Sequence, residues 1–196
     1  MLQIRIHGRG GQGVVTAAEM LSIAAFEQGR HAQAFPSFGS ERTGAPVVAF
    51  CRIDDREIRL REPILEPDVL IVQDPTLLHQ VDVFQGLRPD GYVLINSKRS
   101  FDELGLAEIA QRFRHERLLT VPATEIALKH LGRPLPNAVL LGGFAALSGL
   151  ITLDAVAHAI RAKFNGKIAE SNVAAATEAY QVVHQELEAI AHAQTD

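Results

Sequence analysis

The sequence is poor in several features that mark whole classes of protein. It contains one cysteine, Cys51, which excludes an internal disulfide and an iron–sulfur cluster ligated entirely by this chain's thiolates. A formal net charge of −4 and the lack of a basic tract give no electrostatic case for nucleic-acid binding. The most apolar stretch, 138–150, is too short to span a bilayer. The eight histidines show no metal-ligand spacing, so no metal site is predicted.

Length and composition favour a small, well-packed protein. With 196 residues, 47% of them apolar, the chain suits a single domain over 1–196. We expect an α/β core over 1–133 and a helical extension packed on it over 134–196. A strand is predicted directly at the N-terminus, so no signal peptide is visible, and a cytoplasmic location without membrane contact is expected.

A glycine-rich stretch follows this first strand and precedes an alanine-rich helical pattern. Its four glycines are Gly8, Gly10, Gly11 and Gly13. Glycine is needed where φ is positive or where another backbone or a ligand comes very close. A helix that begins at such a turn presents free N–H groups to an anion. The stretch therefore predicts a phosphate or carboxylate site, to which Arg9 and Gln12 could add side-chain donors.

The same glycines match the spacing of a dinucleotide-binding fingerprint, G-x-G-x-x-G. That fingerprint also requires an acidic residue about 20 positions further on, at the end of the second strand, to bind the ribose. The second predicted strand, 31–35, ends in Pro36 and Ser37 without a carboxylate. Nicotinamide dinucleotide binding is therefore disfavoured, and a tight turn without any ligand remains an alternative.

Strand and helix patterns alternate through the first two thirds of the chain. Helical spacing is seen over 14–28, and strands are predicted at 31–35, 47–53, 57–60, 68–73, 92–96 and 118–121. The strands 47–53 and 57–60 are interpreted as a hairpin. This order predicts an α/β fold of the Rossmann-like kind: a mostly parallel twisted sheet with helices on both faces and ligands at the carboxyl ends of its strands.

The last third is predicted to be helical. Asn137 is expected to cap a helix that ends near Ser148, Thr152 to open a second helix, and a third to span about 171–192. The first of these helices is apolar on nearly every face. Either the two later helices wrap around it or a partner chain covers part of it.

Four blocks of sequence, in order, carry a resemblance to a known family. They are 7–13, 34–47, 136–137 with 141–145, and Asn172 with Ala175 and 179–180. Through them the chain resembles, over nearly its whole length, the gamma subunit of the 2-oxoacid:ferredoxin (acceptor) oxidoreductases, the pyruvate and ketoisovalerate group.

The resemblance implies a subunit that is not catalytic alone. The expected reaction is oxidative decarboxylation of pyruvate, or of a branched or aromatic 2-oxoacid, to its acyl-CoA, with electrons passing to ferredoxin or, through an NAD- and flavin-linked subunit, to another acceptor. Thiamine diphosphate, magnesium and 4Fe–4S clusters are expected on partner alpha, beta and delta (ferredoxin-like) subunits. Coenzyme A is expected as the co-substrate, and this chain is expected to hold no cofactor by itself.

The resemblance also suggests roles for particular residues. The glycine loop, 8–13, would contact coenzyme A or a neighbouring subunit. Glu41 and Arg42 could point from the long loop towards the thiamine site in the next chain, where Arg42, the catalytic candidate, would bind the 2-oxoacid carboxylate or orient the loop. Ser37, in the same loop, is either a ligand contact or an ordinary turn residue. Lys98 and Arg99, after the strand at 92–96, are candidate phosphate contacts. The alternative for these charged residues is a solvated pair, which is the commoner case for Lys98 and Arg99. The competing functions are a stand-alone dinucleotide-dependent dehydrogenase and a purely structural assembly subunit.

Overall fold

The computed structural model describes residues 1–37 and 42–195. The strands are β1 (Leu2–Arg9), β2 (His31–Pro36), β3 (Pro46–Asp54), β4 (Val69–Val72), β5 (Tyr92–Asn96) and β6 (Leu118–Val121). The helices are α1 (Val14–Glu27), α2 (Ala107–Ala110), α3 (Ala123–Leu131), α4 (Asn137–Ser148), α5 (Leu153–Lys163) and α6 (Gly166–Ala193). Short 3₁₀ helices span Pro75–His79 and His115–Arg117.

The six strands form a single sheet in the order β2-β3-β1-β4-β5-β6. Strands β1, β4, β5 and β6 run parallel, with Ile6 opposite Ile71 and Leu94 opposite Leu119. Strand β3 lies antiparallel between β1 and β2. The predicted α/β fold with a mostly parallel sheet and a helical last third is confirmed.

Helix α4 lies at the centre of the helical layer. Ten of its twelve residues are buried, because α6, α5, α1 and strand β5 all pack against it. Of the two ways to cover its apolar surface, the structure uses the first: the later helices wrap around it. Gly142 makes this packing possible, since a Cβ there would stand 2.0 Å from the carbonyl oxygen of Ala176 in α6.

The opposite face of the sheet is covered mainly by short helices and turns. Side chains of β4 and β5 pack there against Leu77, Phe84 and Leu106 from the segments between the strands. Beneath β1, the buried Arg5 donates from Nη2 to the carbonyl oxygens of Val83 (2.9 Å) and Gln85 (2.6 Å). Hydrogen bonds from a guanidinium to carbonyl oxygens thus fasten a loop to the sheet.

Two local predictions are wrong. Residues 57–60 are not a strand: β3 pairs with β1 on one side and β2 on the other, so it has no free edge for a hairpin partner. Asn137 is not the cap of α4 but its first residue, and Pro136 takes the cap position. The prediction that Thr152 caps the next helix is confirmed, since its side chain accepts from the N–H of Ala155 at 3.1 Å.

Candidate functional site

The predicted site residues come together at one edge of the sheet. The parallel strands β1, β4, β5 and β6 all end there. Strand β2 also ends there and β3 begins there, because β3 is antiparallel to both of its neighbours. The residues at this edge are Gly8, Arg9, Gly10, Gly11, Gln12, Gly13, Ser37, Arg42, Lys98 and Arg99. Glu41 lies outside the described residues. Carboxyl ends of strands are where open α/β sheets bind ligands.

Gly10 is a glycine because a second chain segment lies against it. The N–H of Gly10 donates to the carbonyl oxygen of Ala45 (2.9 Å), and the N–H of Gly44 donates to the carbonyl oxygen of Gly10 (3.0 Å). A Cβ on Gly10 would stand 2.3 Å from the carbonyl oxygen of Arg42. The N–H of Gly10, which we expected to face a ligand, is therefore used to hold segment 42–45.

Gly8 and Gly13 are also explained by packing inside the chain. A Cβ on Gly8 would meet Val14 Cγ2 at 2.5 Å, and a Cβ on Gly13 would meet Asn137 Nδ2 at 2.5 Å. Asn137, the mispredicted cap, donates instead from Nδ2 to the carbonyl oxygen of Gly13 (3.3 Å). These two glycines therefore allow a strand–helix turn and α4 to approach closely.

Gly11 has a different environment. Its φ is +90°, and a Cβ there would meet nothing closer than Thr43 Cγ2 at 3.9 Å. Within the described residues, the N–H groups of Gly11 and Gly13 have no hydrogen-bond acceptor, and Gly13 precedes α1 at its cap position. The described part of the chain thus leaves two backbone donors unused beside the N-terminus of α1, where the helix dipole favours an anion.

Both the oxygen and the nitrogen of the Gln12 side-chain amide form hydrogen bonds within the chain. Its Oε1 accepts from the N–H of Arg9 (2.8 Å), and its Nε2 donates to Asp74 Oδ2 (2.8 Å). Asp74 also accepts from the N–H and the hydroxyl of Thr76. Burial raises the pKa of Asp74, but the hydrogen bonds from Thr76 and Gln12, with the Arg9 charge, outweigh it and lower the pKa below its ordinary value. Asp74 is therefore ionised at neutral pH.

Two buried amides connect the strand ends, and sequence reasoning gave neither of them a role. Gln73 Nε2 donates to the carbonyl oxygen of Gln12 (2.9 Å), and Asn96 Nδ2 donates to the carbonyl oxygen of Gln73 and to Thr124 Oγ1, both at 2.8 Å. Asn96 Oδ1 accepts from the N–H of Thr124 (3.1 Å). The sequence did contain a signal for these two residues: each is a polar residue at the end of an otherwise apolar, buried strand.

Arg42 stands beside Gly10, and the other candidates lie further along the edge. Ser37 donates its N–H to the carbonyl oxygen of Val48 (2.8 Å), and Arg42 is exposed. Lys98 and Arg99 are exposed after β5, where Lys98 Nζ lies 3.8 Å from Glu125 Oε1. Strand β5 is two strands from β1, so these two cations stand roughly 10 Å along the edge from the glycine loop.

The sheet order argues against a dinucleotide site. In the Rossmann arrangement the strand that supplies the ribose-binding acid lies directly beside the glycine-loop strand. Here β3 lies between β1 and β2. The end of β2 is therefore displaced by one further strand spacing, about 4.8 Å, and segment 42–45 occupies the space beside Gly10.

Comparison with known proteins agrees with these blocks and this fold. The model of the pyruvate ferredoxin/flavodoxin oxidoreductase family matches residues 3–182. The chain belongs to this family. Within it, the chain is a gamma subunit, which confirms the resemblance seen in the sequence.

Relatives and solved structures of the family match most of the chain. The pyruvate/ketoisovalerate oxidoreductases common subunit gamma of Pyrococcus abyssi is 48% identical over 92% of this chain and 96% of its own length. The pyruvate synthase subunit PorC of Methanothermobacter marburgensis is also 48% identical, over 92% and 97%. The crystal structure of pyruvate oxidoreductase subunit PORC from Thermotoga maritima is 35% identical with a TM-score of 0.76, covering 92% of this chain and 95% of that chain.

A more distant structure shares the fold alone. The 2-oxoglutarate:ferredoxin oxidoreductase from Magnetococcus marinus, solved with 2-oxoglutarate, coenzyme A and succinyl-CoA bound, is 16% identical with a TM-score of 0.67. The match covers 94% of this chain and 31% of that one. A gamma-type fold is thus also found as part of a longer oxidoreductase chain.

In the part of the chain that the structure describes, the side chains that could ligate a metal are scattered. Within residues 1–37 and 42–195, no three histidine, cysteine or acidic side chains lie together as a metal site requires. Cys51 is fully buried in β3, and burial raises the pKa of its thiol to about 12. Over the same residues, no helix combines the length and the apolar character that a membrane span requires.

Proposed function

We propose that this gamma subunit works in a cytoplasmic, coenzyme A-acylating 2-oxoacid oxidoreductase with alpha, beta and delta-type partners, and that its sheet edge forms part of the coenzyme A and active-site surround. Pyruvate or a branched 2-oxoacid is the substrate that the names of the relatives support. The observation that carries the proposal is the pair of backbone donors at Gly11 and Gly13, at the N-terminus of α1 and on the ligand-binding edge of the sheet.

Coenzyme A suits this edge chemically. It is a long ligand with a 3′-phosphate and a diphosphate, and the edge presents an anion-binding turn and, roughly 10 Å away, the exposed cations Lys98 and Arg99. Arg42, also exposed, stands beside the glycine loop, where its guanidinium can bind a carboxylate or a phosphate. One extended anion could therefore contact both the turn at the glycine loop and the cations Lys98 and Arg99.

Thiamine diphosphate, magnesium and the iron–sulfur clusters belong to the partner subunits in this proposal. A 4Fe–4S cluster is held by cysteine thiolates, and this chain has a single thiol, fully buried with a raised pKa. That donor set does not fit a cluster. Electrons therefore pass through the partners to ferredoxin or to an NAD- and flavin-linked subunit.

The test replaces Gly11 with alanine in the assembled complex. The added Cβ has space, so the change acts through the positive φ, which strains the backbone and turns the peptide N–H groups. Losing one hydrogen bond to a charged ligand costs ~1.5–3 kcal/mol, so the KM for coenzyme A should rise about tenfold or more. Native mass spectrometry should show an unchanged subunit composition.

Gly29→Ala is the matched control. Gly29 also has a positive φ (+78°) and an open Cβ position, but it follows α1 at the opposite edge of the sheet. It should leave the KM for coenzyme A unchanged. If Gly11→Ala also leaves the KM for coenzyme A unchanged, the proposed contact between the glycine loop and coenzyme A is refuted.

A second candidate is that the glycine loop serves subunit assembly only. The close packing of Gly8, Gly10 and Gly13 inside the chain is compatible with it, because three of the four glycines need no ligand to explain them. In that case Gly11→Ala should release a partner subunit in native mass spectrometry, whereas Gly29→Ala should not.

A further inference from the structure

We infer that Arg9 is a positioning residue that fastens segment 42–45 to the sheet edge, and that it does not bind the anionic ligand itself. The expectation from the sequence was the reverse: an arginine inside a glycine loop was assigned to the ligand. The position of Arg42 in the active-site surround rests on the proposed function, but the contacts of Arg9 do not.

All three guanidinium nitrogens of Arg9 have partners within the chain. Nη1 donates to the carbonyl oxygen of Gly44 (3.0 Å), and Nη2 donates to Thr76 Oγ1 (2.8 Å) and Gln80 Oε1 (3.0 Å). Nε donates to Thr76 Oγ1 at 3.3 Å and lies 3.2 Å from Asp74 Oδ2. A guanidinium has five N–H groups in a fixed planar fork, and this arrangement uses most of them.

The contacts connect three segments that are far apart in sequence. Arg9 itself stands at the end of β1, Gly44 belongs to the segment before β3, and Thr76 and Gln80 lie in or just after the 3₁₀ helix that follows β4. Asp74, which lies beside the Arg9 guanidinium, also accepts from Gln12 Nε2 (2.8 Å) and so connects Arg9 to the glycine loop. The side chains of Arg9 and Asp74 are only 19% and 14% exposed, so solvent screens their attraction less than it does for a fully exposed pair.

Among the residues that the structure describes, few hydrogen bonds attach segment 42–45 to the rest of the fold. Arg42, Thr43 and Gly44 are exposed, and the backbone hydrogen bonds of Gly44 and Ala45 with Gly10 join the segment to β1. Among the described residues, Arg9 supplies the one side chain that hydrogen-bonds to this segment. The placement of Arg42 therefore depends on a short backbone bridge and on the Arg9 fork.

Lysine at position 9 is the sharpest test, because it keeps the charge beside Asp74 but not the fork. One ammonium cannot reach Gly44, Thr76 and Gln80 together in the planar arrangement that arginine provides. In the purified full chain, trypsin should cleave the Arg42–Thr43 bond about tenfold faster in Arg9→Lys, since cleavage follows local opening. Hydrogen exchange at the Gly44 and Ala45 amides should accelerate by a similar factor.

The control is Arg30→Lys. Arg30 Nε makes a more exposed ion pair of 3.0 Å with Asp55 Oδ1 at the opposite edge of the sheet, so the same substitution there removes a guanidinium contact far from segment 42–45. Arg30→Lys should leave both cleavage at Arg42 and exchange at Gly44 unchanged. If Arg9→Lys does not fold, Thr76→Val, which removes the hydroxyl that anchors the fork, is expected to give the same faster cleavage.

Kinetics of the assembled complex separate this inference from the proposed function. If both hold, Arg9→Lys lowers kcat/KM for the acyl-transfer reaction about tenfold, because a misplaced contact residue is costly, while subunit composition is unchanged. Faster cleavage at Arg42 with wild-type kinetics would support the positioning role and refute the place of Arg42 in the active-site surround. Unchanged cleavage and exchange in both Arg9→Lys and Thr76→Val would overturn the inference.

Discussion

Replacing Gly142 with alanine is expected to destabilise the gamma subunit, although alanine is the better helix former. The added Cβ would stand 2.0 Å from the carbonyl oxygen of Ala176 and 2.6 Å from its carbonyl carbon, where ordinary contacts begin at 3.4 Å. Because the obstacle is backbone rather than side chain, no rotamer change relieves it. Helix α6 has to move away from α4 by more than 1 Å, the shortfall from 3.4 to 2.0 Å.

The neighbouring Gly143 provides a matched comparison in the same helix. A Cβ there would meet Leu94 Cδ2 at 3.2 Å and Val183 Cγ2 at 3.4 Å, both flexible side-chain ends. Each substitution gains about 1 kcal/mol of helix propensity, whereas overpacking a core costs about 1–3 kcal/mol and more where backbone must shift. We expect Gly142→Ala to lose about 2 kcal/mol or more of net stability and Gly143→Ala to stay within about 1 kcal/mol of the parent.

The free energy of unfolding is measured on the full chain by urea titration and by thermal melting, followed by circular dichroism. For a chain of this size, about 2 kcal/mol corresponds to a fall in Tm of about 4–8 °C. The two variants should differ clearly, with Gly142→Ala the lower. Equal melting temperatures for the two would refute the reasoning that backbone contact between α4 and α6 requires a glycine at 142.

Two further predictions concern buried polar groups. Burial, with a smaller contribution from the Arg5 charge, lowers the pKa of His7 to about 3, so between that value and the ordinary pKa of about 6.5 the unfolded chain binds the extra proton. The contribution of His7 to the free energy of unfolding should therefore be fully present above about pH 6.5 and fall as the pH drops towards 3, by at most about 1.4 kcal/mol per pH unit. His7→Gln should flatten this pH dependence, measured by urea titrations at several pH values. An unchanged slope in the variant would contradict the prediction. Asn96→Ala removes the bridge from Gln73 to Thr124 and should cost ~2–3 kcal/mol in the same assay. The control Asn172→Ala, which loses a single bond to the carbonyl oxygen of Ile168 within α6, should cost ~1 kcal/mol, and equal losses would argue against the bridge.

The pattern of apolar residues predicted most of the fold, because strands and helices that are buried require apolar residues at the buried positions. The continuous runs at β4, β5 and β6 and the all-round apolar α4 are where the sheet and the helical layer bury most side chains. The pairing of β3 was beyond such reasoning. The apolar run within 46–54 is compatible with a local hairpin and with insertion between β1 and β2, and only the long-range pairing decides between them.

The common position of the candidate residues could be predicted from the sequence, but their contacts could not. The glycine loop, Lys98 and Arg99 follow strands, so their place at one edge of the sheet could be inferred from the order of the elements alone. The partners of Arg9 are 35 to 71 residues away in sequence, and Asn137 reaches Gly13 across 124 residues. No local pattern in the sequence encodes pairs so far apart. For this reason the neighbours of Asn137 in sequence predicted a helix cap, and those of Arg9 predicted a ligand contact.

The insertion of β3 beside β1 has a consequence for how glycine fingerprints are used in genome searches. A turn of the form G-x-G-x-x-G can persist because the chain's own backbone crosses it, as the bonds between Gly10 and residues 44–45 show. The discriminating character is then the direction of the strand on that side of the fingerprint strand where β3 stands here. In this chain the antiparallel β3 places segment 42–45 over the turn, whereas the Rossmann arrangement has a parallel strand there and a crevice that holds the nucleotide.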